Sequence, residues 1–72
     1  MIVHVKAYGV IAEKIKGVNE ISLDAGSSIV DLKLALGLTN PAMFVVNGTM
    51  ASAGTRLEEN DVVKIVSIVS GG

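Results

Sequence analysis

The sequence has no cysteine and no tryptophan, and its only aromatic residues are Tyr8 and Phe44. Without cysteine the chain can form neither a disulfide nor a thiolate metal site, and it has no thiol nucleophile. Its six basic and seven acidic residues nearly cancel, and they form no basic stripe. Proteins that bind nucleic acid usually present a cationic face with stacking aromatic rings, so this composition argues against that class.

Long hydrophobic runs and targeting signals are also missing from the sequence. No apolar run approaches the roughly 18 residues of a membrane-spanning helix. Residues 1–6 lack the basic start, apolar stretch and cleavage site of a signal peptide. We therefore expect a cytoplasmic protein that does not enter a membrane.

Residues that could form a catalytic or metal site are few. No motif places a serine, cysteine or carboxylate beside His4, so we interpret it as an exposed strand residue. Glu58, Glu59 and Asp61 are close together in the sequence, but their spacing is not that of a calcium loop, and we interpret them as a solvated turn. The sequence predicts no metal site and no catalytic side chain.

Apolar residues are abundant and make up half of the chain. A chain of 72 residues has room for one domain. It needs a dense apolar core, because a chain this short buries only about 60% of its unfolded surface. We expect a single domain over residues 1–72, in which residues 69–72 form a flexible functional tail.

The apolar pattern predicts four strands. Residues 2–8 and 18–24 alternate with the period of two that is typical of half-buried strands, and residues 62–69 are rich in valine and isoleucine. Residues 43–46 form a short apolar run, which suits a strand that is buried on both sides or covered by a partner.

One clear helix signal lies between the second and third of these segments. Ser28 followed by Asp31 is a capping-box pattern, and Gly37 suits a left-handed helix end. This predicts a main helix of two to three turns, and residues 10–17 could form a shorter one. The predicted apolar face of the main helix consists of Ile29, Leu32, Ala35 and Leu36.

These elements predict an α+β fold, in which one main helix covers one face of a mixed sheet of four to five strands. Residues 49–56 read mostly as a loop and would supply the short fifth strand at an edge. The first and last strands are the most apolar, so we expect them to lie side by side in the centre of the sheet and to run in parallel. This strand order is that of the β-grasp, or ubiquitin-like, fold.

The last predicted strand is apolar on both faces. One face would pack against the helix, and exposed apolar residues on the other could form an interaction surface. Valine and isoleucine also suit strands in general, and this explanation stays open. The predicted partner-docking residues are Val62, Val66, Ile68 and, from the neighbouring apolar run, Phe44.

The stretch from Leu57 to Gly72 resembles the C-terminal signature of the small sulfur carriers of the MoaD/ThiS family. The shared pattern is a leucine, an acidic turn ending in aspartate, a strand rich in valine and isoleucine, and Val-x-Gly-Gly. Members of the molybdopterin type often have Pro-Pro where this chain has Ser67-Ile68, which favours the thiamine type. Residues 7–17, however, resemble the longer first connection of the molybdopterin type, so both pathways stay open.

The resemblance implies a carrier that binds no cofactor and has no catalytic residues of its own. An E1-like adenylating enzyme would transfer AMP from ATP to the carboxylate of Gly72. A sulfurtransferase or cysteine desulfurase would supply the sulfur that displaces AMP. The thiocarboxylate on Gly72 would then serve a client enzyme, either the molybdopterin synthase large subunit or thiazole synthase.

The predicted tail consists of Val69, Ser70, Gly71 and Gly72. Four extended residues reach about 13 Å at roughly 3.3 Å each, which is enough to cross the rim of a partner's active site. Two alternatives to a sulfur carrier stay open. One is a ubiquitin-like modifier joined through Gly72 to a lysine of a target protein. The other is a plain β-grasp interaction domain whose tail is incidental.

Overall fold

The computed structural model describes residues 1–68, and the predicted tail, residues 69–72, lies outside the described residues. Within residues 1–68, no helix has the length and apolarity needed to span a membrane. The elements follow the predicted order and include the short edge strand. They are β1 (Ile2–Tyr8), α1 (Val10–Lys14), β2 (Glu20–Ser22), α2 (Ile29–Ala35), β3 (Ala42–Val46), β4 (Thr49–Ala51) and β5 (Val62–Ser67).

The strands form one five-stranded sheet in the order β2-β1-β5-β3-β4. β5 runs parallel to β1 and antiparallel to β3. β2 and β4 each add an antiparallel edge strand. A parallel neighbour requires a long crossover connection, and the chain between β1 and β5 provides it. The predicted central pairing of the first and last strands is therefore confirmed.

The two helices cover one face of the sheet, and the core lies between them and the strands. Alternation along β1 and β5 turns every second side chain toward the helices. Leu57, which precedes β5, closes one end of this core. The buried apolar residues are Val3, Val5, Ile11, Ile15, Ile29, Leu32, Leu38, Phe44, Leu57, Val63 and Ile65.

α2 begins with the predicted capping box. The backbone N–H of Ser28 donates to Asp31 Oδ2 at 2.8 Å, and the Ser28 side chain faces the backbone of the first turn. Ile29 and Leu32 are buried as predicted, but Ala35 is exposed. At 100° per residue, Ala35 lies roughly 90° from the middle of the buried stripe, so the prediction for this residue is wrong.

The end of α2 is a Schellman motif. Gly37 has a φ of 69°, and its N–H donates to the Leu34 carbonyl at 3.0 Å. The N–H of Leu38 donates to the Lys33 carbonyl, also at 3.0 Å. These two bonds satisfy carbonyls that the last turn leaves unpaired, and they turn Leu38 back into the core.

Candidate functional site

The face of the sheet that is turned away from the helices, here called the outer face, retains exposed apolar side chains. Strand pairing arranges it in rows that cross the sheet. One row joins Tyr8, Val66 and Met43 as direct cross-strand neighbours on β1, β5 and β3. Tyr8 and Met43 are exposed, and Val66 is half-buried. We call these three residues the apolar row.

A second row lies next to the apolar row and contains two lysines. Lys6 on β1 is the direct neighbour of Lys64 on β5, which is followed by Val45 on β3 and Met50 on β4. A third row joins Glu20 on β2, His4 on β1 and Val62 on β5. The outer face therefore has a cationic centre, with the apolar row on one side and a mixed row that includes the Glu20 carboxylate on the other.

Three of the predicted docking residues are consistent with this face. Val62 and Val66 lie on β5 and are half-buried, since neighbouring side chains shield them in part. Ile68 follows β5 directly and is 49% exposed. Their role in docking stays a prediction.

The placement of Phe44 among the docking residues is wrong. Its side chain is only 7% exposed and belongs to the core. The cause is register, since Phe44 is the direct neighbour of Ile65, whose side chain faces the helices. Period-two alternation then turns Met43 and Val45 to the outer face. Sequence reasoning missed both, although the same alternation would have separated them from Phe44 once the register was known.

The end of β5, where the predicted tail would begin, is held by hydrogen bonds on two sides. Ser67 Oγ accepts from the N–H of Ile11 at 2.9 Å and donates to the Tyr8 carbonyl at 3.2 Å. On the opposite side, the N–H of Ile68 donates to the Pro41 carbonyl at 3.2 Å. Ser67 and Ile68 are therefore held in place beside the apolar row.

Gly9 allows the close approach of Ser67. It precedes α1 with a φ of 78°, and a Cβ added there would lie 3.0 Å from both Cβ and Oγ of Ser67. Because Gly9 has no side chain, it cannot cap α1 itself, and the hydroxyl of Ser67 takes that role.

The acidic turn before β5 is a structural connection. Asp61 accepts from the N–H of Glu58 and from Nδ2 of Asn47, each at 2.8 Å, and Asn47 Oδ1 accepts from the N–H of Val62 at 2.9 Å. Asn60 adopts a left-handed φ of 66°. Glu58 is exposed as predicted, but Asp61 is buried, so the prediction of a fully solvated turn is wrong for that residue. Within residues 1–68 no group of acidic or histidine side chains could hold a metal ion.

The His4 side chain makes only weak polar contacts in the part of the chain that the structure describes. Its Nε2 lies 3.3 Å from Asn60 Oδ1, and its Nδ1 lies 3.8 Å from Glu20 Oε2. No nucleophile takes part in these contacts, and the ring is partly exposed on β1, as predicted. The arrangement orients an imidazole on the surface without activating a reacting group.

A cleft of about 550 Å³ lies on the helix side, between α2 and the β3–β4 hairpin. Its wall includes Val30, Leu34, Phe44 and Ala51, with Lys33 at its border. The wall is mainly apolar, so the cleft offers van der Waals contact and little polar recognition.

The sequence model of the ThiS family matches residues 5–72. Comparison with curated protein sequences gives no match.

Solved structures share the fold over nearly the whole length. SAMP1 from Haloferax volcanii has a TM-score of 0.76 and 20% identity, with 100% of both chains covered. A putative molybdopterin converting factor, subunit 1, from Pyrococcus furiosus has a TM-score of 0.79 and 23% identity, covering 96% of this chain and 99% of that one. The H. volcanii small archaeal modifier protein 1 has a TM-score of 0.77 and 17% identity, covering 94% and 98%. These similarities confirm the predicted β-grasp fold.

Proposed function

The chain belongs to the ThiS family, and on that premise we propose that it is a sulfur carrier whose Gly72 carboxylate is adenylated and then converted to a thiocarboxylate. The observation that carries this proposal is that the family match extends to residue 72 and so includes Gly71 and Gly72. Proteins of this family are carriers rather than catalysts, which agrees with the predicted lack of catalytic residues.

The proposed chemistry needs only the carboxylate of this chain. An E1-like adenylating enzyme joins AMP from ATP to a carboxylate oxygen of Gly72 and releases pyrophosphate. A sulfurtransferase or cysteine desulfurase carries the sulfur as a persulfide, from which a thiol reductant releases sulfide and is itself oxidised to a disulfide. This sulfide then forms a C–S bond with the Gly72 carbonyl carbon. The C–O bond to AMP breaks, a proton passes to solvent, and a thiocarboxylate remains. The side chains of Val69 and Ser70 are small enough to follow Gly71 and Gly72 into a narrow site, and the glycines allow the closest backbone approach.

The folded part would supply the docking surface. Val62, Val66 and Ile68 lie on or beside the outer face, and the apolar row extends this surface to β1 and β3. Ile68 also directly precedes the four predicted tail residues in the sequence. If a partner covers the outer face, the tail would therefore enter that partner at the edge of the contact, close to the partner's activation site.

Intact-mass measurement tests the proposed chemistry. The protein is incubated with the adenylating enzyme of the same organism, Mg-ATP and sodium sulfide. We expect the mass gain for exchange of one oxygen by sulfur, together with release of pyrophosphate. Deletion of Gly72 and the Gly72→Ala variant should both prevent the reaction. Activation of the deletion variant at the native rate would contradict the proposal and would favour a plain interaction domain.

A second candidate function is that of a protein modifier. The H. volcanii small archaeal modifier protein 1 shares this fold with a TM-score of 0.77, so the fold is compatible with a modifier as well as with a carrier. A modifier would form an amide between Gly72 and a target lysine, so a cell extract with ATP should yield a ladder of conjugates. A carrier instead yields a single thiocarboxylated species.

The client enzyme is tested by supplying the thiocarboxylated protein to two purified candidates. If thiazole synthase consumes the thiocarboxylate sulfur, the protein serves the thiamine pathway. If the molybdopterin synthase large subunit consumes it, the protein serves the molybdopterin pathway. The structural similarity to the P. furiosus protein, at 23% identity, does not distinguish them, because that similarity reflects the shared fold.

A further inference from the structure

Two lysines are direct neighbours at the centre of the outer face. Lys6 on β1 is the register partner of Lys64 on β5, and both side chains are exposed. Neighbouring strands lie about 4.8 Å apart, so these side chains leave the sheet close together. Among residues 1–68, the only contact within 4.0 Å between a basic and an acidic side chain joins His4 and Glu20. Neither lysine is therefore neutralised by a carboxylate of the described chain.

This arrangement is unfavourable for the fold itself. Lys6 and Lys64 are register partners in the parallel pair of β1 and β5, so their ammonium groups leave the sheet side by side and repel each other through solvent. Most described carboxylates lie elsewhere, including Glu58 and Glu59 in the turn before β5. A neutral or acidic residue at either position would be better for the isolated domain. The lysine pair therefore does not stabilise the free protein, and we interpret it as part of an interaction surface.

The two lysines lie between two rows of side chains that a partner on this face would cover. The apolar row lies on one side of them, and a mixed row of Glu20, His4 and Val62 lies on the other. Lysine is depleted in the cores of protein interfaces. An ammonium group that is covered without a partner charge carries a large desolvation penalty. A protein that covers this face must therefore provide acceptors for both charges.

We propose that the surface that docks on the outer face is apolar and carries carboxylates opposite Lys6 and Lys64, and that it belongs to the adenylating enzyme. This inference rests on the proposed function, because it takes the outer face as the docking surface. A second copy of this chain is a poor occupant. A symmetric contact between two outer faces would bring four lysines together around the axis.

The variant Lys6→Glu should change the stability of the fold and the affinity for the enzyme in opposite directions. In the free protein it replaces a like-charge neighbour by an ion pair with Lys64, so the melting temperature should rise. In docking it places a carboxylate against the acidic surface of the enzyme, so the affinity should fall about tenfold or more at low salt. The loss should shrink at high salt, because exposed charges are then screened. Opposite signs for stability and affinity are the expected signature.

Lys33→Glu is the matched control, since it changes the net charge equally but lies on α2, on the helix side. Docking is measured by calorimetry with the adenylating enzyme and a Gly72-deleted chain, and activation by pyrophosphate release from the full chain. Equal affinity of Lys6→Glu and the native protein, or equal losses in Lys6→Glu and Lys33→Glu, would overturn the inference. So would self-association of the native chain through the outer face.

The two proposals fail in different ways. Docking that depends on Lys6 without release of pyrophosphate would support this inference and contradict the proposed chemistry. Pyrophosphate release at the same rate from Lys6→Glu and the native protein would support the proposed chemistry and contradict this inference. An absence of docking by the native domain would contradict both the docking surface and the partner charge assigned to it.

Discussion

The hydroxyl of Ser67 caps helix α1 from the opposite end of the chain, accepting a hydrogen bond from the N–H of Ile11 at 2.9 Å across 56 residues of sequence. The same hydroxyl donates to the Tyr8 carbonyl at 3.2 Å. Gly9, the residue at the cap position, has no side chain that could perform this role. One serine therefore joins the last strand, the first strand and the first helix beside the point where the predicted tail begins.

Replacing Ser67 by alanine should lower the free energy of unfolding by about 1 kcal/mol. The change leaves the N–H of Ile11 without its acceptor, and the site is partly buried, so water replaces the lost bond only in part. Urea denaturation measures the effect. Ser52→Ala is the control, because within residues 1–68 the Ser52 hydroxyl hydrogen-bonds only with Thr55 Oγ1, at 3.2 Å in an exposed turn. Equal losses in the two variants would contradict the capping role.

Replacing Gly9 by alanine should cost roughly 1–3 kcal/mol of stability. The new Cβ would combine a positive φ with a 3.0 Å contact to Ser67. Two controls separate these causes. Gly17 has a φ of 87° but nothing within 4 Å of an added Cβ, and Gly54 has neither constraint. Chemical denaturation should rank the losses as Gly9→Ala, then Gly17→Ala, then Gly54→Ala. A smaller loss of stability in Gly9→Ala than in Gly17→Ala would show that the contact between the new Cβ and Ser67 does not destabilise the protein.

Ile68→Asp should weaken docking to the adenylating enzyme by tenfold or more, about 1.4 kcal/mol, while the domain stays folded. Ile68 is 49% exposed beside the outer face, so a carboxylate there disturbs an interface more than a core. Val66→Asp should act in the same direction with a larger effect on stability, because Val66 is half-buried. Binding is measured by calorimetry on variants whose fold is verified by circular dichroism.

Leu34→Asp is the control for these docking variants. Leu34 is 71% exposed but lies on α2, on the helix side of the sheet. The same substitution there should leave the affinity for the enzyme unchanged. Loss of binding in Leu34→Asp, with native affinity in Ile68→Asp, would move the docking surface to the helix side.

Replacing Asp61 by alanine should cost roughly 2 kcal/mol, because it removes the acceptor of two donors in a buried position. The donors are the N–H of Glu58 and Nδ2 of Asn47, each 2.8 Å from an Asp61 oxygen. Thermal unfolding measures the loss. Glu58→Ala, at an exposed position of the same turn, should change stability by less than about 0.5 kcal/mol. A metal-dependent stability of the native protein would contradict the structural role given to this turn.

Local signals in the sequence predicted most of the fold. The capping box at Ser28 and Asp31 and the left-handed end at Gly37 are encoded within a few residues, so they can be recognised without the tertiary structure. The alternation along β1 likewise separated its buried from its exposed side chains. The pairing of the first and last strands followed because both are strongly apolar and the α2 crossover permits a parallel contact.

The docking surface could be predicted only in part. Val62, Val66 and Ile68 were identified from one strand, where alternation is enough. Met43 and Tyr8 join that surface through cross-strand register, which the sequence of a single strand does not contain. The short apolar run at residues 43–46 has no polar member to mark its outward side, and Phe44 was misplaced for that reason.

The sequence alone determined the order of the elements, the capped helix, the family and the candidate carboxylate at Gly72, because each depends on residues that are close together in the chain. Only the tertiary structure decided which side chains meet across large sequence separations. It placed Phe44 in the core, brought Lys6 beside Lys64, and set Ser67 against Ile11. The physical reason is that these contacts depend on strand register and close packing, which the assembled sheet alone defines.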